Sequence, residues 1–135
     1  MARLADERAT QHELETRQLA HDRYLSELRQ AAEQLWRERG VRYQRCTLEN
    51  FELLTAEHRK RHAEVTAYAM DMLRQVEAGV GVVFTGPPGT GKDHLMAGLL
   101  HRAVELQMSV KWTSGLKLFS RLRDDIHESR RERLT

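Results

Sequence analysis

Apolar and polar positions divide the chain into a long, polar, helix-forming stretch, a short aperiodic segment, and a run in which helical spacing alternates with short β-branched blocks. From Leu4 to Arg39 there is neither proline nor glycine, and the residues are mostly Ala, Leu, Glu, Gln and Arg, which enter a helix at little entropic cost. Gly40 supplies the stop, so the spacing predicts one helix of about 50 Å. Its apolar positions Leu14, Leu25, Leu28, Ala32 and Leu35 follow a heptad seam, but Gln11, Gln18 and His21 share that seam. A seam that polar makes a weak coiled coil. Two roles stay open for this helix. It is either a surface for a partner or a sibling chain, or a solvated rod whose C-terminal half, with Leu28, Leu35 and Trp36, packs on the remainder.

Residues 41–55 lack a clean period and read as an extended linker that docks Leu48 and Phe51 on something apolar. Thr55 is a cap candidate for a helix running to Ala78, with Glu57 favourably placed in its first turn and Gly79 closing it. Val65, Tyr68, Ala69, Met72, Leu73 and Val76 form its apolar stripe, which is a core contact and not a cofactor box. Val80 to Thr85 is a short β-branched run. After it, Lys92 opens a helix with Leu95, Met96, Leu99, Leu100 and Ala103 facing inward. Met108 to Thr113 reads as a second strand, and Ser114 caps a last helix with Leu116, Phe119, Leu122 and Ile126 inward. Helices alternating with strands are the grammar of an α/β fold.

Between the first strand and its helix lies Gly86-Pro87-Pro88-Gly89-Thr90-Gly91-Lys92-Asp93. This order is what a phosphate-binding P-loop requires. Glycines let backbone N–H groups converge on a phosphate, the helix N-terminus adds partial positive charge, and the lysine reaches the terminal phosphates. The spacing fits G-x-x-x-x-G-K. The next position, normally a Ser or Thr hydroxyl on Mg²⁺, is Asp93. A carboxylate there can ligate Mg²⁺, but beside phosphates it adds a like charge, which at about 4 Å and an effective dielectric near 20 costs on the order of 4 kcal/mol. A bound Mg²⁺ offsets that repulsion, so nucleotide without metal should bind poorly. The alternative is a Gly/Pro loop that binds nothing.

Composition changes this picture little. The 135 residues have room for one modest domain or for one domain plus an extension, and 22 Lys+Arg against 20 Asp+Glu give a net charge of +2 that does not announce nucleic acid. Only residues 80–135 lean basic, with nine basic side chains against six acidic. The single cysteine, Cys46, leaves no intramolecular disulfide and no cysteine-based zinc site. No signal-peptide core and no membrane-length apolar run occurs, so a cytoplasmic protein without membrane contact is the expectation. His58 and His62 stand four apart on a helix without the Glu of an H-E-x-x-H site. His94 at the start of a packed helix reads as structural. Arg59-Lys60-Arg61 and Arg130-Arg131 read as solvated faces before phosphate contacts.

The blocks Arg42-Tyr43, Thr47-Leu48-Glu49-Asn50-Phe51, Gly86 to Leu95, Met108 to Trp112 and Leu118-Phe119 together resemble the DnaC/IstB group of AAA+ ATPases, which are replicative helicase loaders and transposition helpers. The resemblance covers residues 40 to 128. It implies a partial P-loop NTPase, AAA+-like three-layer α/β core over residues 56–135, joined by linker 41–55 to a helical extension, 1–40, of the kind that commonly holds a helicase. It implies ATP at Gly86, Pro87, Pro88, Gly89, Thr90, Gly91, Lys92 and Asp93, with Lys92 on the β- and γ-phosphates, Mg²⁺ near Asp93, and Leu48 to Phe51 toward the base and ribose. In the family's sheet order, 5-1-4-3-2, the two strands read above are not neighbours, which implies unpaired edges and exposed inner faces at Leu95, Leu99, Phe119 and Leu122. A replicative helicase or a transposase is the implied partner, with DNA and a sibling chain as further partners the resemblance allows.

Two departures bear on activity. Position 93 is Asp where the family usually has Thr, and no apolar strand ending in Asp-Glu follows residue 113; Asp124-Asp125 lies on a polar helix. The expectation is therefore a loader-like or helper-like protein, truncated before its second acidic motif, that binds ATP without hydrolysing it alone. Against it stands a non-catalytic interaction protein that uses the N-terminal helix and keeps a relic P-loop. A small P-loop kinase ranks below both, because no acceptor-binding or lid segment is visible.

Overall fold

A computed structural model describes residues 1–134. Six helices follow in order: α1 (Ala2–Arg39), α2 (Val41–Gln44), α3 (Ala56–Met70), α4 (Met72–Glu77), α5 (Lys92–Glu105) and α6 (Gly115–Leu134). Helix α1 ends where Gly40 takes φ 92°, its N–H still donating to Trp36 O at 2.8 Å. Most of α1 is solvated. Only Ala32, Leu35 and Trp36 are buried in it, so its last turns belong to the packed body and the preceding turns project from it.

Helix α3 starts as the cap residue predicts, with the His58 N–H donating to Thr55 Oγ1 at 3.0 Å. The single helix expected to Ala78 is broken at Asp71, whose carboxylate takes two N–H groups of Arg74 at 2.9 and 2.7 Å. The break keeps Met72 buried and turns Leu73 and Val76 outward. Leu48, Val65, Ala69, Met72, Leu95, Leu99 and Ala103 form the core, with Phe51, Tyr68, Phe84 and Met108 against it. Here α3 and α5 face one another, and the 41–55 segment, which includes the single-turn helix α2, crosses α5.

The three-layer α/β core is not formed, and this corrects the expectation from the sequence. Among the described residues there is no β-strand. Residues 80–85 and 108–113 take no regular secondary structure and do not pair with one another. A strand is defined by a neighbour's N–H and C=O groups, and at the first residue of each run those groups are taken by other partners. Val80 donates its N–H to Gln75 O at 2.9 Å and accepts the Tyr68 hydroxyl at 2.7 Å, while Met108 donates to Ala103 O at 2.9 Å. β-branched residues record a preference for a pleated, packed surface, and that preference is expressed only where such a surface exists. Val83 is therefore 86% exposed, and Leu116, Phe119, Leu122 and Ile126 of α6, expected to face inward, are also exposed. Leu95 and Leu99 face inward as the helical spacing predicts, buried against α3 and Leu48, so of the four inner faces that the resemblance implied to be exposed only Phe119 and Leu122 are.

Candidate functional site

The glycine-rich loop folds back on itself in front of α5. Gly91 closes it at φ 87°, ψ 11°, a left-handed conformation that a side chain resists, and hands over directly to Lys92, the first residue of the helix. The Lys92 ammonium turns into the loop, where its Nζ donates to Gly86 O and Pro87 O, both at 2.6 Å, and Thr90 Oγ1 donates to Pro87 O at 2.9 Å. The loop thus arrives as a ring with one cation at its centre and a helix N-terminus at its base. An anion entering the ring meets the positive end of the α5 dipole and a lysine whose present partners, two carbonyls, are weaker acceptors than phosphate oxygens.

The segment 44–51 supports this ring from behind through three imidazoles. A carbonyl partner requires the proton on Nε2 in each case. His101 donates to Gln44 O at 2.6 Å, His62 to Leu48 O at 2.7 Å, and His94 shares one N–H between Thr47 O and Asn50 Oδ1, both at 2.8 Å. Asn50 locks the turn from within, its Oδ1 accepting the Thr47 N–H at 2.8 Å and its Nδ2 donating to Arg45 O at 2.7 Å. Locking the turn fixes two apolar side chains. Leu48 enters α5 so closely that a Cβ on Gly98 would lie 2.6 Å from Leu48 Cδ2, and the Phe51 ring sits where a Cβ on Gly91 would meet it at 2.7 Å. Phe51 in turn has His58, His62 and His94 around it, with ring centroids 5.6, 5.8 and 5.2 Å away.

Beside the loop opens a cleft of about 620 Å³ lined by Phe51, His58, Tyr68, Phe84, Thr90 and Lys92, a size that suits a small organic ligand. His58 Nδ1 is shielded in its wall with no partner among the described residues. Glu57 and Glu64 also reach the cleft, and Arg61 bridges them at 2.8 and 3.1 Å. The hydrogen bond that Arg61 donates to Glu64, with the charges of both carboxylates, raises the Arg61 pKa above its ordinary value. On the other flank of the loop, Asp93 is exposed in the first turn of α5, and its Oδ2 accepts the Tyr43 hydroxyl at 3.4 Å.

A protein-family model described as IstB-like ATP binding protein matches residues 2–135. The chain belongs to the IstB-like ATP binding family. The family carries ATP binding with it, and the match spans α1 as well as the loop, so the helical extension is part of what this IstB-like chain shares with its family. No curated relative and no solved structure matches it.

Of the eight loop positions singled out in the sequence, Gly86, Pro87, Thr90 and Lys92 are joined by the hydrogen bonds above and all four line the cleft, while Gly89 and Gly91 provide left-handed turns. Pro88 takes part in none of these hydrogen bonds and is outside the cleft lining. Asp93 faces Tyr43 and is outside the cleft lining. The sequence reading missed Arg39, Trp112 and Gly98. An isolated glycine inside a helical pattern was the signal for Gly98, whereas nothing in the spacing marks Arg39 or Trp112 as neighbours. No described residues group as three or more metal-ligating side chains, and no described helix is long and apolar enough to cross a membrane.

Proposed function

We propose that the ring Gly86–Asp93 is the ATP site of this IstB-like chain, that it takes ATP as the Mg²⁺ complex, and that the adjoining cleft receives the base and ribose. The observation that carries the reading is the position of Lys92, drawn into the loop by two carbonyls at 2.6 Å, where a phosphate would exchange for them. The residues also suit a metal. Asp93 is an exposed carboxylate with Oδ2 engaged by Tyr43, and one carboxylate completed by phosphate oxygens and waters is the donor set a hard Mg²⁺ takes. Bound there, the ion would neutralise charge shared between Asp93 and the phosphates. Lys92 would bind and orient the terminal phosphates, Phe51 would hold the loop from behind, and His58 and Tyr68 would line the cleft.

Turnover asks for more than binding, namely a group that orients water and a cation on the developing charge. The carboxylates that reach the cleft, Glu57 and Glu64, are both held by Arg61. We therefore assign this chain binding without hydrolysis on its own. Its role would be that of a helper in transposition or helicase loading, with the projecting turns of α1 as the contact for a transposase or replicative helicase. The exposed Leu4, Leu14, Leu19 and Tyr24 on that helix support this part of the reading. Equilibrium titration of the full chain with ATP and Mg²⁺ tests the site: Lys92→Ala should weaken binding about 10- to 100-fold, the range for losing a charge-assisted contact. Unchanged affinity would remove the loop from the account.

A further inference from the structure

We infer that Tyr43 is a positioning residue for Asp93, and that Arg39, held between Tyr43 and Trp112, fixes Tyr43 in that role. The inference rests on the proposed binding of Mg·ATP at Gly86–Asp93 and names the groups that set its metal dependence.

Four residues from four separate segments form one run of contacts. Arg39 is the last residue of α1, Tyr43 lies in α2, Asp93 in the first turn of α5, and Trp112 in the irregular stretch before α6. The guanidinium carbon of Arg39 stands 4.3 Å from the Tyr43 ring centroid and 3.4 Å from that of Trp112. A cation between two ring faces is an attractive arrangement. It also holds the Tyr43 ring in place, with the hydroxyl 3.4 Å from Asp93 Oδ2. Arg42 stands 5.9 Å from the centroid of the same ring.

The local sequence builds this approach independently of the bond it serves. Gly40, at φ 92°, turns the chain immediately after Arg39, and the single turn of α2 brings Tyr43 back beside it, the Tyr43 N–H donating to Gly40 O at 3.2 Å. His101 pins both ends of the bend to α5, stacking on Trp36 at 4.1 Å and donating to Gln44 O at 2.6 Å. Since α5 also carries Asp93, the Tyr43–Asp93 separation is set by the frame.

A surface carboxylate turns broadly about its terminal torsion. A donor on Oδ2 restricts that rotation and leaves Oδ1 for a metal. Outer-shell donors of this kind typically change metal affinity about 10- to 100-fold when removed, and the 3.4 Å separation puts Tyr43 at the lower end of that range.

The test is a Mg²⁺ titration of the full chain with a non-hydrolysable ATP analogue at fixed concentration, on wild type, Tyr43→Phe and Arg39→Gln, with the analogue's affinity in EDTA measured for each. For Tyr43→Phe the expected result is a shift of the Mg²⁺ midpoint to about tenfold higher concentration, an unchanged analogue affinity in EDTA, and, as linkage between the two ligands requires, an analogue affinity weaker by about the same factor once Mg²⁺ is saturating. Arg39→Gln, which removes the cation and leaves the hydroxyl, should shift the midpoint in the same direction by less. A merely structural Tyr43 would instead lower analogue affinity equally with and without Mg²⁺, and that outcome, or an unmoved midpoint, overturns the inference. If wild type itself binds the analogue without regard to Mg²⁺, the reading of the site fails, which is a separate result from a wild type that responds to Mg²⁺ and a Tyr43→Phe variant that responds identically.

Discussion

Asp93 and Gly98 show how single residues set the chemistry and the packing of the site. At position 93 a carboxylate stands where a hydroxyl would carry no charge, so the protein's demand for metal should be unusually strong. Asp93→Asn removes the repulsion with phosphates and should raise affinity for ATP in EDTA while reducing the gain that Mg²⁺ brings; equal losses in both conditions would contradict the metal role. Gly98 serves packing. A methyl group there would lie 2.6 Å from Leu48 Cδ2 and 3.0 Å from the Leu48 backbone nitrogen, a side that cannot yield without moving the 44–51 turn. Gly98→Ala should therefore destabilise the fold by about 1–3 kcal/mol, despite the better helix propensity of alanine. Denaturant unfolding measures this, and a stabilised variant would mean that Leu48 does not sit where the structure has it.

Among the elements, α1 serves two ends. Its last turns hold the body through Ala32, Leu35 and Trp36, and Arg39 reaches the site's flank, whereas residues before about Tyr24 touch little. Deleting residues 1–20 should leave thermal stability and ATP affinity unchanged, while deletion through Arg39 should lower both; the converse pattern would place the body's support in the wrong half of the helix. Much at this scale was legible in the sequence, because helix signals are local. Gly40 and Thr55 end and start helices through their own backbone and side chain, and the order Gly91-Lys92 at the mouth of α5 follows from spacing alone. That the two predicted strands would not form was not legible, because pairing is a property of two segments. Val80–Phe84 has the composition of a strand, yet Tyr68 and Gln75 satisfy Val80 and nothing in the composition announces that. The contact of Arg39 with Trp112 is of the same non-local kind.

For the molecule as a whole, the core is small and one-sided. Leu116, Phe119 and Ile126 on α6, together with Val83, present apolar surface to water, and such surface favours association. The isolated chain should bind an apolar fluorescent dye and show a mass that rises with concentration. A monomer with a cooperative melt and no dye binding would mean that these faces are covered. A ligand that binds only the folded ring would stabilise the fold by mass action, by about 2.7 kcal/mol at a hundredfold excess over Kd.

The central claim is that Gly86–Asp93 is a working, metal-dependent ATP site, and calorimetric titration of the full chain with ATP, in Mg²⁺ and in EDTA, tests it most directly. The account predicts one site per chain in Mg²⁺ and affinity at least tenfold weaker in EDTA, because the like charges of Asp93 and the phosphates then face each other unscreened. Absence of binding in Mg²⁺, or equal affinity in the two buffers, would contradict it.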